Sequence, residues 1–282
     1  MLITAMNKEK NVEKIHTRIW LEEPEPDNLF ATQAAYCHGY DVYGAMLGQA
    51  SWVEMLYLLF QGEQPSPGQI DLLETLAVAL ANAGPRDPAV HAAMCGAVGG
   101  SPAAACLMAA LGVGAGQLSG GREVFLVMEA WQTCGTDLAA WQHQLSTPAT
   151  AIASIWPTPE HPPGFEPHGV TTTTPVKQTL ACLARLSAKE KTITESKAHL
   201  PWLENNLTML EGYAQHPLAL SGVAAAAFTD LGFNAAQGEM LHLLLRLPGA
   251  AAHALEQRAY GHKKFPFFNI DLQNDPAQKA TS

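Results

Sequence analysis

An all-α fold is the expectation for this chain, and three observations carry it. Apolar residues recur at three- and four-residue spacing over most of the length, no alternation of strand and helix is present, and strand-like runs are confined to "IHTRIW" near 15–20. The 282 residues suffice for one large domain or two unequal ones with a sizeable core.

The elements follow in order. "SWVEMLYLLFQGE" (51–63) sets Trp52, Met55, Leu56 and Leu59 at helical spacing and stops at Gly62. "SPGQIDLLETLAVALANAG" (66–84) has Pro67 near its start, a regular apolar stripe and Gly84 at its end. His91 to Gln117 holds no Asp, Glu, Lys or Arg, yet it is built from Gly, Ala and Pro102 rather than Leu, Ile and Phe. Its transfer into lipid would gain little, so a buried helical segment is expected, not a membrane span.

Further helices are expected at about 101–115, 121–145, 175–187, 217–231, 235–246 and 249–260. Pro248 is expected in the first turn of the last of these, leaving Arg246 just before its start. His253 and Gln257 are four apart and share a side, with Glu256 at its edge. The stretch 146–175 is crowded with Pro and Thr and reads as a long connection. No repeat of solenoid period occurs.

Sixteen basic against twenty-six acidic side chains give a net charge of −10, which favours neither nucleic acid nor an anionic membrane. "MLITAMNKEKNVEK" has no apolar core of a signal peptide. Cys37, Cys95, Cys106, Cys134 and Cys182 show no short paired spacing, so no metal site is expected, and reduced thiols in the cytoplasm are. "GVGAGQLSGG" (112–121) is Gly-rich without matching a dinucleotide fingerprint; its plain reading is close helix packing. P-loop, HExxH and GxSxG motifs are absent.

Five segments in a fixed order carry a resemblance. They are "CHGYDVYGAMLGQASWVEMLYLLFQGEQPSPGQ" (37–69), "SGG" (119–121), "PPGFEPHGVTTTTPVKQTLACLARL" (162–186), "LALSGVAAAAFTDLGF" (218–233) and "LRLPGAAAHALEQR" (245–258). Together they resemble the citrate synthase superfamily: its N-terminal "LLxxGExP" helix, its His-Gly-Gly turn, its "GxGHxxxxxxDPR" segment, the segment around its catalytic aspartate, and its "RxxGxxAHxxEQ" signature. The length is similar to the short citryl-CoA lyase branch, including the lyase domain of ATP-citrate lyase.

The resemblance implies a large helical domain from both chain ends (1–86 and 229–282) and a smaller inserted one (87–228). It further implies a homodimer, a coenzyme A thioester as co-substrate, a di- or tricarboxylate, and no tightly bound cofactor. The reaction makes or breaks the carbon–carbon bond between the two substrates. A carboxylate must take a proton from the thioester's α-carbon, imidazoles must hold the enol and polarise the ketone, and arginines must pair the carboxylates.

At those positions this sequence departs from the pattern. Ser221 stands where the aspartate base belongs, and a serine hydroxyl is no base near neutral pH. The aspartate–histidine pair has become Arg86 and Asp87, with His91 a turn further on. Ser119, beside Gly120, replaces the turn's histidine; His168 survives about one residue displaced; the "DPR" arginine is Val176.

Arg246 matches the carboxylate-binding arginine, and His253, Glu256 and Gln257 match the mostly architectural "AHxxEQ" residues. Arg258, Lys263 and Lys264 are placed to meet CoA phosphates or to solvate a surface. Three readings follow: an enzyme whose base is supplied anew from Asp87, Asp230, Glu166 or His91; a non-catalytic homologue serving as a binding, regulatory or partner subunit; or an enzyme acting on a different acyl-CoA, its pocket altered for a new substrate.

Overall fold

The computed structural model describes residues 15–146, 161–190, 198–266, 268–270 and 272–273; most of the connection expected at 146–175 lies outside them. The chain forms two compact units, 1–70 and 71–282. Helix dominates, as the periodicity requires, and the described cysteines are free thiols, with Cys37, Cys106 and Cys134 buried. No helix among the described residues is long and apolar enough to cross a membrane.

The first unit opens on a hairpin the sequence did not announce. β1 (Trp20–Glu25) pairs antiparallel with β2 (Asn28–Cys37), and β3 (Tyr40–Asp41) adds to the far edge of β2. β1 reads WLEEPE and is mostly exposed, so it shows no alternation to betray it. Its register slips on either side of Pro24, as expected where a proline cannot donate to the ladder.

Asp41 then caps a short π-type turn over Val42–Met46 by accepting from Gly44 N at 2.8 Å. α1 (Trp52–Gln61) starts on a capping box between Ser51 and Glu54 and ends at Gly62, whose φ is +81°. Its buried face is Val53, Leu56, Tyr57 and Leu58, while Trp52, expected on the inner stripe, is exposed. The apolar run through Phe60 offers two faces, and packing chose between them.

α2 (Pro67–Leu80) leads into the second unit, ending four residues before Gly84. There follow α3 (Pro88–Val98), α4 (Ala103–Gly114), α5 (Gly121–Cys134) and α6 (Leu138–Ser146). The single helix expected at 121–145 is thus broken at Gly135, φ +50°, and restarted by Asp137, which accepts from Ala139 N at 2.9 Å. α7 (Thr174–Ser187), α8 (His199–Ala214), α9 (Leu220–Asp230) and α10 (Ala235–Tyr260) complete the unit; α8 was not foreseen.

α10 is the main correction. Asn234 and Gln237 form its capping box, and the helix runs unbroken through Pro248. A mid-helix proline costs about 3 kcal/mol when backbone groups are left orphaned. Here the neighbouring Gly249 N–H leaves the ladder and donates to Ala81 O at 2.7 Å, just beyond α2. A Cβ on Gly249 would lie 2.6 Å from that oxygen, so only glycine allows the approach. Arg246 therefore lies on the body of a long helix, not before the start of a short one.

The alanines of α10 behave as their size dictates. Ala250 and Ala254 join Val90, Ala93 and Ala97 of α3 with Cys106 and Ala110 of α4 in one buried cluster. α5 packs on both α9 and α10. In α9 every residue from Ser221 to Phe228 is buried. The described end of the 146–175 connection reaches α9 directly, through a bridge between Phe165 and Leu218 and a bond from Ala219 N to Gly164 O of 2.9 Å.

Candidate functional site

Arg246 is the hub. Its Nη2 pairs with Asp87 Oδ2, its Nη1 donates to Ser119 O at 2.8 Å, and the same nitrogen lies 3.4 Å from His242 Nε2. Asp87 is placed by the start of α3, where its other oxygen accepts from Ala89 N and Val90 N at 3.0 and 3.2 Å. One carboxylate thus caps a helix and neutralises an arginine. A gap of only about 20 Å³ remains beside Asp87, Gly114, Leu243 and Arg246, roughly a single water.

Ser119 is held in a left-handed turn, φ +58°, that aims its carbonyl at Arg246. Gly120 makes that turn possible, since the carbonyls of Gly114 and Gly116 fill the space a Cβ would need. α5 begins on this turn, and its first residues carry Glu123 inward, 1% exposed.

Glu123 was not a sequence candidate, although it lies four residues after Ser119. Its Oε1 accepts from Gly164 N at 2.8 Å. Its Oε2 is buried without completing a hydrogen bond, and so is Oγ of Ser221, 7% exposed. Burial raises the Glu123 carboxyl above the ordinary range; the Gly164 amide, the Ser221 hydroxyl and the Ser119 amide pull it back, and Glu166 adds a smaller upward push. The Ser221 hydroxyl is therefore near enough to bear on the charge while neither group is satisfied.

His242 was also missed. It lies one helical turn before Arg246, 3% exposed, with Nδ1 unpartnered. Burial, then the Arg246 charge, lower it to about 3, so the ring is neutral across the physiological range. Spacing was the available signal for both: i,i+4 from Ser119 to Glu123 and from His242 to Arg246.

Asp87, Ser119 and Arg246 thus meet, with His242 beside them, and the turn of Ser119 and Gly120 links this group to Glu123 and Ser221. The remaining candidates lie elsewhere. Arg86 is exposed; His91 stacks on Phe265 with centroids 5.8 Å apart; His168 is exposed on the docked loop. His253 Nε2 sits 3.2 Å from Asn82 Oδ1 and Nδ1 lies 3.6 Å from Glu256. Arg258 binds Ser101 O, while Lys263 and Lys264 are exposed past the end of α10.

Of the other base candidates, Asp230 is spent on structure and Glu166 Oε1 accepts from His168 N at 3.3 Å. A larger cavity of about 220 Å³ in the first unit contains Asp41 and Glu54, both already used as caps. Among the described residues no grouping of His, Cys, Asp and Glu has the makings of a metal site.

Solved structures supply the comparison. Citryl-CoA lyase from Hydrogenobacter thermophilus superposes with a TM-score of 0.67 over 95% of this chain and 100% of its own, at 18% identity. The fold is citrate synthase-like.

ATP citrate lyase from Methanothrix soehngenii, solved with citrate and coenzyme A, gives a TM-score of 0.68 at 14% identity. It is matched over 95% of this chain and 43% of its own. A mutant ATP citrate lyase from Methanosaeta concilii, in complex with (3S)-citryl-CoA, matches over 95% and 44% with a TM-score of 0.68 and 14% identity. No family model and no curated protein sequence matches. At 14–18% identity these likenesses show the fold.

Proposed function

We propose that this protein is a citryl-CoA lyase- or citrate synthase-like enzyme with an altered site. It forms or cleaves the carbon–carbon bond between an acyl-CoA and a 2-oxo dicarboxylic acid. The observation that supports this reading is the Ser119 turn, which joins the Asp87–Arg246 pair on one side to the buried, incompletely satisfied Glu123 carboxylate and Ser221 on the other. Buried polar atoms without partners are costly, roughly 1–3 kcal/mol each, and accumulate where function needs them.

In this reading Arg246 receives a substrate carboxylate by exchanging Asp87 for it, which requires the pocket to open beyond its present gap. His242, neutral, offers a hydrogen bond rather than a charge. The basic residues Arg258, Lys263 and Lys264 are the proposed contacts of CoA phosphates, and a homodimer is the proposed assembly. Purified protein supplied with citryl-CoA should release oxaloacetate, or with acetyl-CoA and oxaloacetate should release free thiol. No turnover, together with no calorimetric heat for CoA or citrate, defeats the proposal.

A second reading, a non-catalytic homologue that binds or partners an active protein, draws on one observation. The Arg246 guanidinium is already occupied by Asp87, the Ser119 carbonyl and His242. Heat for CoA or citrate without turnover selects it.

A further inference from the structure

We propose that Glu123 is the proton-transfer group of this site, taking the work that Ser221 cannot do. The role rests on the lyase or synthase reading above and adds to it the residue that moves the proton. Its basis is geometric. Glu123 is 1% exposed, one oxygen is fixed by Gly164 N at 2.8 Å, and the other is free beside Ser221, at the position where this chemistry needs a carboxylate. The exposed turn Ala115–Ser119 leads into α5, and its last residue joins Glu123 to the arginine: the Ser119 amide faces the carboxyl while its carbonyl holds Arg246.

The other carboxylates are committed. Asp87 caps α3 and pairs Arg246, and Asp230 is saturated by Ser187, His199 and Leu200.

In the cleavage direction the substrate is a β-hydroxy acyl-CoA carrying carboxylates. Glu123 takes the hydroxyl proton, and the O–H electron pair becomes the second bond of the new ketone. The Cα–Cβ bond breaks, its pair passing to the thioester as an enolate. Glu123 returns the same proton to the α-carbon. No proton is gained or lost overall, and no further reactant is needed.

The charges around Glu123 suit a carboxyl whose hold on a proton is strengthened by burial. Glu166 faces it from the docked loop and raises its proton affinity; α9 offers only the Ser221 hydroxyl. Arg122, on the same turn, is drawn away to Glu239 at 3.4 Å and over the Phe125 ring. On α10 Arg246 is neutralised by Asp87, and His242 is uncharged.

The test is turnover of citryl-CoA, with exchange of the α-protons of acetyl-CoA in deuterated water as a readout independent of bond cleavage. Glu123→Gln should lower kcat and exchange by about 100-fold or more with KM changed little, and Glu123→Asp should recover part of both. The acid limb of the kcat/KM profile should lie above the ordinary glutamate range and move higher in Ser221→Ala, which loses a group easing ionisation. Glu123→Gln activity within about threefold of wild type, or an unmoved limb in Ser221→Ala, overturns Glu123 alone. A wild-type protein inactive on every such substrate overturns the functional reading and this role with it. If Glu123→Gln does not fold, the Glu123→Asp rates and the Ser221→Ala limb decide.

Discussion

Two buried carboxylates meet α9 at its opposite ends, and they are treated differently. Asp230, at the C-terminal end, accepts from Ser187 Oγ at 2.7 Å, His199 N at 2.7 Å, His199 Nδ1 at 2.8 Å and Leu200 N at 3.1 Å. It stitches α7, α8 and α9 together, and nothing is left over. Glu123, beside the N-terminal end, accepts one full bond and sets its second oxygen, with no hydrogen bond completed, near the Ser221 hydroxyl. Burial of both thus yields a saturated clamp at one end and an incompletely bonded carboxylate at the other. Satisfaction, not burial, separates the two roles.

The comparison can be broken from either side. Removing the clamp carries the largest expected effect. Asp230→Ala leaves four donors unpaired, two of them on half-buried His199, and should cost about 3–5 kcal/mol, read as a lower midpoint in denaturant titration. Loss below about 1 kcal/mol would show that the clamp is not what it looks like.

Gly249→Ala comes next. Its methyl must displace the Ala81 carbonyl on which Pro248 depends, costing about 2–3 kcal/mol, again read by chemical denaturation. Arg246→Met should follow at about 1–3 kcal/mol, because Asp87 loses its partner yet keeps its helix cap, read again as a lower midpoint in denaturant titration.

The smallest effect concerns pH and carries opposite signs at two residues. Glu123 has a folded-state affinity for protons above its unfolded one, so its contribution to stability is full below about pH 4.3 and is lost as pH rises through the raised folded value. Glu123→Gln should therefore be more stable than wild type at neutral pH and lose the advantage in acid. His242 runs the other way. Its stabilising contribution is full above about pH 6.5 and is lost as pH falls toward about 3. His242→Leu should flatten the acid side of a thermal-melt profile, and an unchanged slope would contradict its burial as a neutral ring.

Much of the helical architecture was legible because 3.6-residue periodicity is local. The helices at 66–84, 101–115 and 175–187 came out close to their observed limits, helped by a proline near each of their starts. The hairpin was illegible because β1 is exposed and interrupted by Pro24, so nothing in its own residues demands pairing. The two-helix reading of 235–260 failed because the helix continues through Pro248, where the adjacent Gly249 N–H finds an acceptor at Ala81, far away in sequence.

The site divides in the same way. By itself the sequence determined only residue types: a serine at 221, where the resemblance expects a base, and an arginine at 246, where it expects a carboxylate ligand. Only the tertiary structure decided that Asp87 and Ser119 engage that arginine and that Glu123 is the carboxylate beside Ser221. Chain spacing cannot encode which oxygens are left without a donor once four segments meet. That depends on the close approach of Gly164 to Gly222 and of the Ser119 turn to α10, and on the water their packing excludes.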